Sequence, residues 1–370
     1  MGLTFLDTDP AACFARLKAV FEGYSGRVLY PAHVENLLLK VLAYADSERR
    51  IATQFAAEQN LINFAVGAHL DALGANIETP RLQPAPAECM VAFTLALPSP
   101  LGTSIAAGTR VQSADGQFVF ETLNPAYVIR NRDRSSSVQA RCINVGKAAN
   151  GLEPGVLCCI APAIAGVSGA NVTTTGNGGD LENDEAYRAR LLLSPARWGG
   201  GTASGYRLAA LTANTEVADA LAVQGEQQGD IKIYILAKNG RAPEPLRALV
   251  ERRCNADDVR LIGDSVSVDH AEAKPYHIRA TIKVRSNQDP AEIQDKVQAL
   301  AHAYAAEKSA RLGADVTPTQ VLLALSPVKE ALYTVELHEP SEIIEIGASE
   351  WAQLDGDPEI ILDPTGVADE

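Results

Sequence analysis

Side chains able to carry out chemistry are present, but they do not gather into a motif. The six histidines, His33, His69, His270, His277, His302 and His338, are the groups best suited to move protons near neutral pH or to bind a metal. None stands in an HExxH pair or beside a clear carboxylate partner, so each reads as a surface or core imidazole. Gly166-Val167-Ser168-Gly169 opens like a nucleophile elbow, but Ala170 occupies the place of the closing glycine and no strand-to-helix turn surrounds it. Carboxylates cluster only as helix-start charges or surface residues, which nominates no pair for glycoside cleavage. The densest cluster is Asp180, Glu182, Asn183, Asp184 and Glu185. It suits a helix N-terminus, with Asp184 and Arg188 at i,i+4 spacing. As a calcium loop it lacks the spaced ligands, central glycine and distal glutamate.

Six cysteines, Cys13, Cys89, Cys142, Cys158, Cys159 and Cys254, include no CxxC pair. Neighbours such as Cys158 and Cys159 take opposite faces of a strand and cannot easily share one metal, so buried free thiols are expected. Gly199, Gly200 and Gly201 lead into Thr202 and a helix, but Gly205 is followed by Tyr206 and Arg207 rather than the Lys-Ser/Thr of a phosphate loop. No cofactor and no metal is expected. Asn171-Val172-Thr173 matches a glycosylation acceptor, idle if the chain stays in the cytoplasm.

Composition narrows the partners. With 32 basic and 46 acidic residues the net charge is -14, a sign that repels phosphate backbones, and the stretch Arg130, Arg132, Arg134 with Arg141 is interrupted by Asp133. No nucleic acid is expected. At 46% hydrophobic and 21% charged the chain has a globular composition, and its longest apolar run, Val156 to Val167, is broken by Pro162, so no membrane insertion is expected. The opening MGLTFLDTDPAACF has neither a basic patch nor an apolar core, and Leu6 breaks the myristoylation pattern; assembly in bacterial cytoplasm is the expectation.

The elements that must position these residues fall in order. From His33 to about Asn60 there is no glycine or proline, and Val34, Leu38, Val41, Ala45, Ala52, Phe55 and Ile62 follow three-four spacing with gaps at Glu48 and Gln59. That predicts a long amphipathic helix, packed either on the chain's own core or in a bundle shared with another chain. A second helix is expected from Leu61 to Leu73, capped by Gly74. After Pro80, runs at Met90 to Leu97, Val111 to Gln112, Phe118 to Thr122, Ala126 to Arg130, Ser136 to Val145 and Val156 to Ile160 predict strands. The Gly/Thr/Asn-rich stretch 166–180 reads as a linker, with Gly176, Gly178, Gly179, Gly199, Gly200 and Gly201 as candidate hinges. Beyond it, a helical pair precedes alternating strands and helices: strands at Asp230 to Leu236, Ser265 to Glu272, Tyr276 to Arg285, Ala331 to His338, Glu342 to Ile346 and Glu359 to Leu362, helices at Pro243 to Cys254, Pro290 to Glu307 and Thr317 to Leu325. Val367 to Glu370 is expected to be a frayed acidic tail. The fold class is α+β, multidomain: an N-terminal helical, bundle-forming region at 1–80, a β-rich middle domain at 81–175, a helical pair plus α/β domain at 176–265 and a C-terminal α+β domain at 266–370.

In this order the segments resemble the baseplate J-like proteins of contractile phage tails and phage-tail-like bacteriocins. IAAGTRVQSADGQFVFET, Ile105 to Thr122, is similar to that family's first β-domain signature, and IAGVSGANVTTTGNGG, Ile164 to Gly179, to its linker. GGDLENDEAYRARLL, Gly178 to Leu192, resembles its most recognisable helix, with Asp184, Glu185, Tyr187 and Arg188 in the motif, and GGGTASGYRLAAL resembles the helix that follows. Ala106 and Asn177 depart from the pattern, at turns only. The resemblance spans roughly residues 30 to 335 and implies a non-catalytic baseplate wedge subunit of a phage virion or tail-like particle. It also implies the partners: a second copy in a homodimer, a smaller wedge protein like tail protein I, a baseplate protein of lysozyme-like fold, and the hub and spike, with rearrangement on contraction. A tail-associated surface or glycan-binding module is the alternative, followed by an envelope-degrading hydrolase; no internal repeat of the fibre type is present.

Overall fold

The computed structural model describes residues 3–95, 103–123, 127–129, 135–195, 201–227, 229–285, 288–328 and 331–363. Two compact units result, Met1–Arg81 with Asn183–Ser194, and Leu82–Glu182 with Pro195–Glu370. The architecture is α+β: helices at the N-terminus, a β-rich middle and mixed C-terminal layers. No helix among the described residues is long and apolar enough to cross a membrane.

In the first unit, helix α1 (Pro10–Ser25) starts where the Asp9 side chain accepts from the Ala11 N–H and stops at Gly26, whose φ of 66° is left-handed. This helix escapes periodicity because Cys13 is its one buried residue. Helix α2 (Val34–Glu58) covers the predicted span and packs along α1 through Asn36, Leu39, Ala43 and Ser47. Helix α3 (Gly67–Asn76) begins later than expected, and Gly74 lies inside it rather than capping it. The C-cap is Ile77, because Gly74 is needed for close approach by another side chain. Helix α4 (Asp184–Leu193), far along the chain, completes this unit.

The second unit opens with a β-domain of β1 (Pro86–Leu95), β2 (Thr103–Ile105), β3 (Arg110–Ser113), β4 (Val119–Thr122), β5 (Tyr127–Ile129), β6 (Ser135–Val145), β7 (Leu157–Ala161) and β8 (Val167–Asn171). Six of these form one antiparallel sheet in the order β7-β3-β4-β6-β1-β8, while β2 and β5 make a separate ribbon. Strand β1 shows the period of two in pure form: Ala87, Cys89, Val91, Phe93 and Leu95 are all buried. Its core also takes Val111, Phe120, Ala140 and Leu157 from its neighbours.

The two sheet edges are stitched together by Asn171. The Gly155 N–H donates to the Asn171 carbonyl at 2.9 Å, and Asn171 Oδ1 accepts from Gly155 at 3.0 Å and Leu157 at 2.9 Å. Its Nδ2 donates to the Glu153 and Thr173 carbonyls at 2.9 and 3.0 Å. At 2% exposure this side chain is buried with every polar atom bonded, so the matched glycosylation triplet is a structural joint.

The expected linker at 166–180 is corrected by the same region. Residues 167–171 are β8, paired with β1, and the strap that follows bridges back through Glu88 to Gly176 and Ala85 to Gly179. Low apolar content suggested a free segment; backbone hydrogen bonding to β1 holds it instead.

Downstream, α5 (Ala203–Ala213) precedes β9 (Val217–Gln224) and β10 (Asp230–Ala237), with the short β11 (Gly240–Arg241) turning back on β10. Helix α6 (Glu244–Cys254) carries the chain to β12 (Ser265–His270), parallel to β10, while β9 is antiparallel to it. Next, β13 (Glu272–Tyr276) and β14 (Arg279–Val284) lead to α7 (Pro290–Ser309), α8 (Pro318–Leu325), β15 (Leu332–Glu339), β16 (Glu350–Leu354) and β17 (Glu359–Leu362). Strand β14 sits between antiparallel β15 and parallel β17, and β13 pairs in parallel with β16. The closing core includes Ile282, Val297, Ala301, Val321, Leu325 and Ala352.

Two strands differ from expectation. Val217–Gln224 is alanine-rich and carries Asp219, a composition poor in strand formers that hides its pattern. Buried Asp219 accepts from Arg207 Nε at 2.9 Å and from the Leu312 N–H at 3.1 Å, so its charge is answered in place. Conversely, Glu342 to Ile346 is no strand and contributes one bridge, Val316 to Ile344.

Replacing Asn171 with alanine leaves the Gly155 and Leu157 amides without their side-chain acceptor. The β-domain should lose about 3 kcal/mol, read by hydrogen exchange as faster opening over 155–157; unchanged protection there would contradict the edge-closing role.

Candidate assembly surface

The motif helix α4 is built from residues that bind the main chain of its own unit. Asn183 caps it by accepting from the Ala186 N–H, and Asp184 and Glu185 place negative charge in the first turn. Asp184 Oδ1 accepts from Arg81 at 2.7 Å and Oδ2 from the Gly67 N–H at 2.9 Å, so α4 fixes the start of α3. Arg81 also reaches Asp71 on α3 at 2.7 Å. Buried Tyr187 donates to the Thr79 carbonyl at 2.8 Å, with the Arg81 and Arg190 guanidinium carbons 4.6 and 5.3 Å from its ring centroid. Arg188 spans two carbonyls, Ile62 at 2.8 Å and Ala65 at 2.7 Å, and Arg190 takes that of Pro80 at 2.7 Å.

The expected Asp184 to Arg188 pairing therefore gives way to longer-range partners. Both carboxylate oxygens of Asp184 face donors of the chain itself. Among the described residues no group of three or more His, Cys, Asp or Glu side chains is placed to hold a metal ion. Glu185 is the exposed member of the motif.

The apolar residues of α2 divide between two sides. Asn36, Leu39, Ala43 and Ser47 face α1, whereas Val34, Leu38, Val41 and Phe55 are 72%, 61%, 62% and 52% exposed. A shift of two positions turns the helix by about 200°, so the predicted stripe lies on the side away from α1. Ala45 and Ala52 are exposed with it, joined by Leu37, Leu42 and Tyr44. Ile62 is separate: it follows the end of α2 and packs half-buried against Ala65, Leu70, Tyr187 and Leu191.

The candidate hinge glycines stand in tight places. A β-carbon at Gly176 would meet Pro245 at 2.8 Å, at Gly178 the Gly146 carbonyl at 2.4 Å, and at Gly179 the Thr215 hydroxyl at 2.6 Å. Close approach explains their identity better than mobility does. Gly201, with φ of 72°, lies against Leu261. Gly199, Gly200, Arg130, Arg132, Arg134 and the 367–370 end fall outside the described residues.

Comparison with known proteins joins these features. Residues 90–179 match the family model described as the Baseplate J-like protein barrel domain. That stretch is similar to a baseplate J-like barrel. Baseplate protein J of Escherichia phage P2 is 30% identical over 167 residues, 43% of this chain and 53% of the relative, so the match spans about half the length of that relative. A chain of the 6-fold symmetrised cryo-EM structure of the anti-feeding prophage (AFP) baseplate aligns over 93% of this chain and 90% of that chain, with a TM-score of 0.39 and 12% identity. The matched J-like barrel corresponds to β1–β8 and the strap, including the Asn171 joint.

Several residues that matter were not legible as motifs. Arg81, Gly74 and Arg190 act with α4 across more than a hundred positions, and a lone arginine or a helical glycine carries no sign of such a partner. Two cysteines also depart from expectation. The ladder pairs Gln112 with Cys159 and Ser113 with Leu157, skipping Cys158, and this bulge brings the two sulfurs to 3.8 Å with Cys158 exposed.

At Gly74 a β-carbon would lie 1.8 Å from the Tyr187 hydroxyl and 2.8 Å from the Thr79 carbonyl. Gly74→Ala should cost roughly 2–3 kcal/mol and Tyr187→Phe about 1 kcal/mol. Together they should cost less than their sum, because removing the hydroxyl relieves the nearest of the three clashes, the ring Cζ at 2.7 Å and the Thr79 carbonyl remaining; strictly additive melting shifts would refute that contact.

Acid acts on the same unit. Hydrogen bonds from Arg49 and Arg50 hold the Asp46 carboxyl well below the usual carboxylate range, and those from Gly67 and Arg81 lower that of Asp184. Folded values that are depressed give stability fully present above about pH 4 and lost as pH falls through them. Helical circular dichroism should therefore decay on acidification with a weaker pH dependence in Asp184→Asn; an identical acid profile would remove Asp184 from that linkage.

Proposed function

We propose that this chain is a structural, non-enzymatic subunit of the baseplate of a contractile tail or tail-like injection particle, and that it self-associates through the exposed face of α2. The observation that carries the reading is the row Val34, Leu38, Val41, Ala45, Ala52 and Phe55 standing in solvent on a 25-residue helix. An exposed apolar strip of that length, broken at Glu48, marks a protein contact. A second copy is the occupant best matched: the strip is apolar except at Glu48, so two such helices can satisfy each other across a two-fold axis. Support for the baseplate setting comes from the J-like barrel and the phage P2 relative.

The finer assignments extend this reading. The chain acts as a wedge subunit that joins a smaller wedge protein like tail protein I, a lysozyme-like-fold baseplate protein, and the hub and spike. It assembles in the bacterial cytoplasm into a virion or tail-like particle. Rearrangement on contraction proceeds by movement between subunits, since the strap glycines inside the second unit are packed rather than free.

Leu38→Glu with Val41→Glu places charge on the strip without touching the α1 contact. Light scattering should show loss of self-association, and co-expression with the neighbouring tail genes should yield no wedge complex, while circular dichroism stays unchanged. Wild-type assembly by the double variant would remove α2 from the proposal.

A further inference from the structure

Regular strands send successive side chains to opposite faces, which holds the sulfurs of adjacent cysteines apart. Strand β7 breaks that rule at Cys158 and Cys159. Its ladder with β3 pairs Cys159 with Gln112 and Leu157 with Ser113, so Cys158 is the extra residue of a β-bulge. On β3, Val111 and Ser113 are buried and Gln112 between them faces outward. Cys159, directly opposite Gln112, shares that outward face. The bulge brings Cys158 to the same side: the two Sγ atoms stand 3.8 Å apart, with Cys158 exposed and Cys159 half-buried. The other four cysteines are buried, and three of them, Cys89, Cys142 and Cys254, belong to hydrophobic cores.

An accessible pair of adjacent thiols has three chemistries open to it, and distance separates them. A disulfide needs α-carbons at least about 4.4 Å apart, whereas a trans peptide fixes neighbouring α-carbons at about 3.8 Å. The 158–159 peptide is trans, so that bond closes only with distortion of the chain. A soft ion held in a straight line between two thiolates, with bonds of about 2.3 Å, needs sulfurs about 4.6 Å apart. The same bonds drawn from sulfurs 3.8 Å apart meet at about 111°, close to the tetrahedral angle. Adjacent cysteines on a regular strand cannot easily share a metal; the bulge removes that obstacle and leaves half of a tetrahedral thiolate site.

We propose that Cys158 and Cys159 form a bidentate site for a soft divalent cation of the zinc and cadmium class, separate from the α2 surface and independent of the baseplate reading. Binding forms two metal–sulfur bonds and releases the two thiol protons to solvent. Among the described residues no third histidine, cysteine or carboxylate completes the group, so the remaining coordination positions are open to water. Closed structural zinc sites take four protein ligands, whereas a site with two holds an exchangeable ion.

Cadmium reports thiolate ligation directly, through ultraviolet charge-transfer absorption. The full-length chain, kept reduced with a phosphine, is titrated with Cd²⁺ and then with Zn²⁺ in competition. One cation per chain is expected, with charge-transfer absorption that excess Zn²⁺ abolishes. In Cys158→Ser and in Cys159→Ser, loss of chelation should weaken binding on the order of a hundredfold. The wild-type protein supplies a second readout that no substitution can disturb: saturating Zn²⁺ should slow iodoacetamide alkylation of Cys158 and Cys159 together, as mapped by peptide mass. Absence of charge-transfer absorption, absorption that persists when both residues are serine, half a cation per chain, or alkylation of either cysteine at an unchanged rate under Zn²⁺ would each overturn the proposal.

Discussion

Main-chain carbonyls stranded where one helix stops and the next has not begun must find donors, and the N-terminal unit meets that need with arginines. Arg188 serves Ile62 and Ala65, Arg190 serves Pro80, and Tyr187 serves Thr79. Without these bonds the connection between α2 and α3 and the exit from α3 would carry unmatched polar groups beside an apolar core of Ala65, Leu70 and Leu191. Charge-assisted bonds of this kind are stronger than neutral ones, and here they also orient the aromatic ring between two cations.

The second unit solves its own closure problem with an amide and with small residues. Asn171 accepts from two amides and donates to two carbonyls at once, whereas a carboxylate has no proton to give and a hydroxyl only one. Gly169 permits the Phe93 ring to lie within 3.0 Å of where a side chain would start, and Gly178 lets the Gly146 carbonyl approach. Glycines that looked like flexibility in the sequence are therefore points of contact. Composition alone cannot separate these two uses, since both require the absence of a β-carbon.

Legibility followed the range of the forces involved. The long helix at 33–60 and the strands at 86–95, 135–145 and 359–362 were visible because their periodicity is local. Helix α1 and strand β9 were hidden, one by a thin buried face and the other by alanine-rich composition with a buried aspartate. The four motif residues of α4 could be singled out by resemblance, yet their work could not be read, because Arg81, Thr79 and Ile62 lie more than a hundred positions upstream. The apolar strip was visible as a pattern, while its exposure depended on which side α1 would choose.

Assignment of 183–194 to the unit formed by the first 81 residues has a consequence for synthesis. A ribosome releases α1, α2 and α3 well before α4, so these helices wait for a piece that arrives only after the whole barrel has been translated. During that interval the pocket for Tyr187 beside Gly74 stays open. Translation of β1–β8 thus precedes consolidation of the α3–α4 packing around Tyr187.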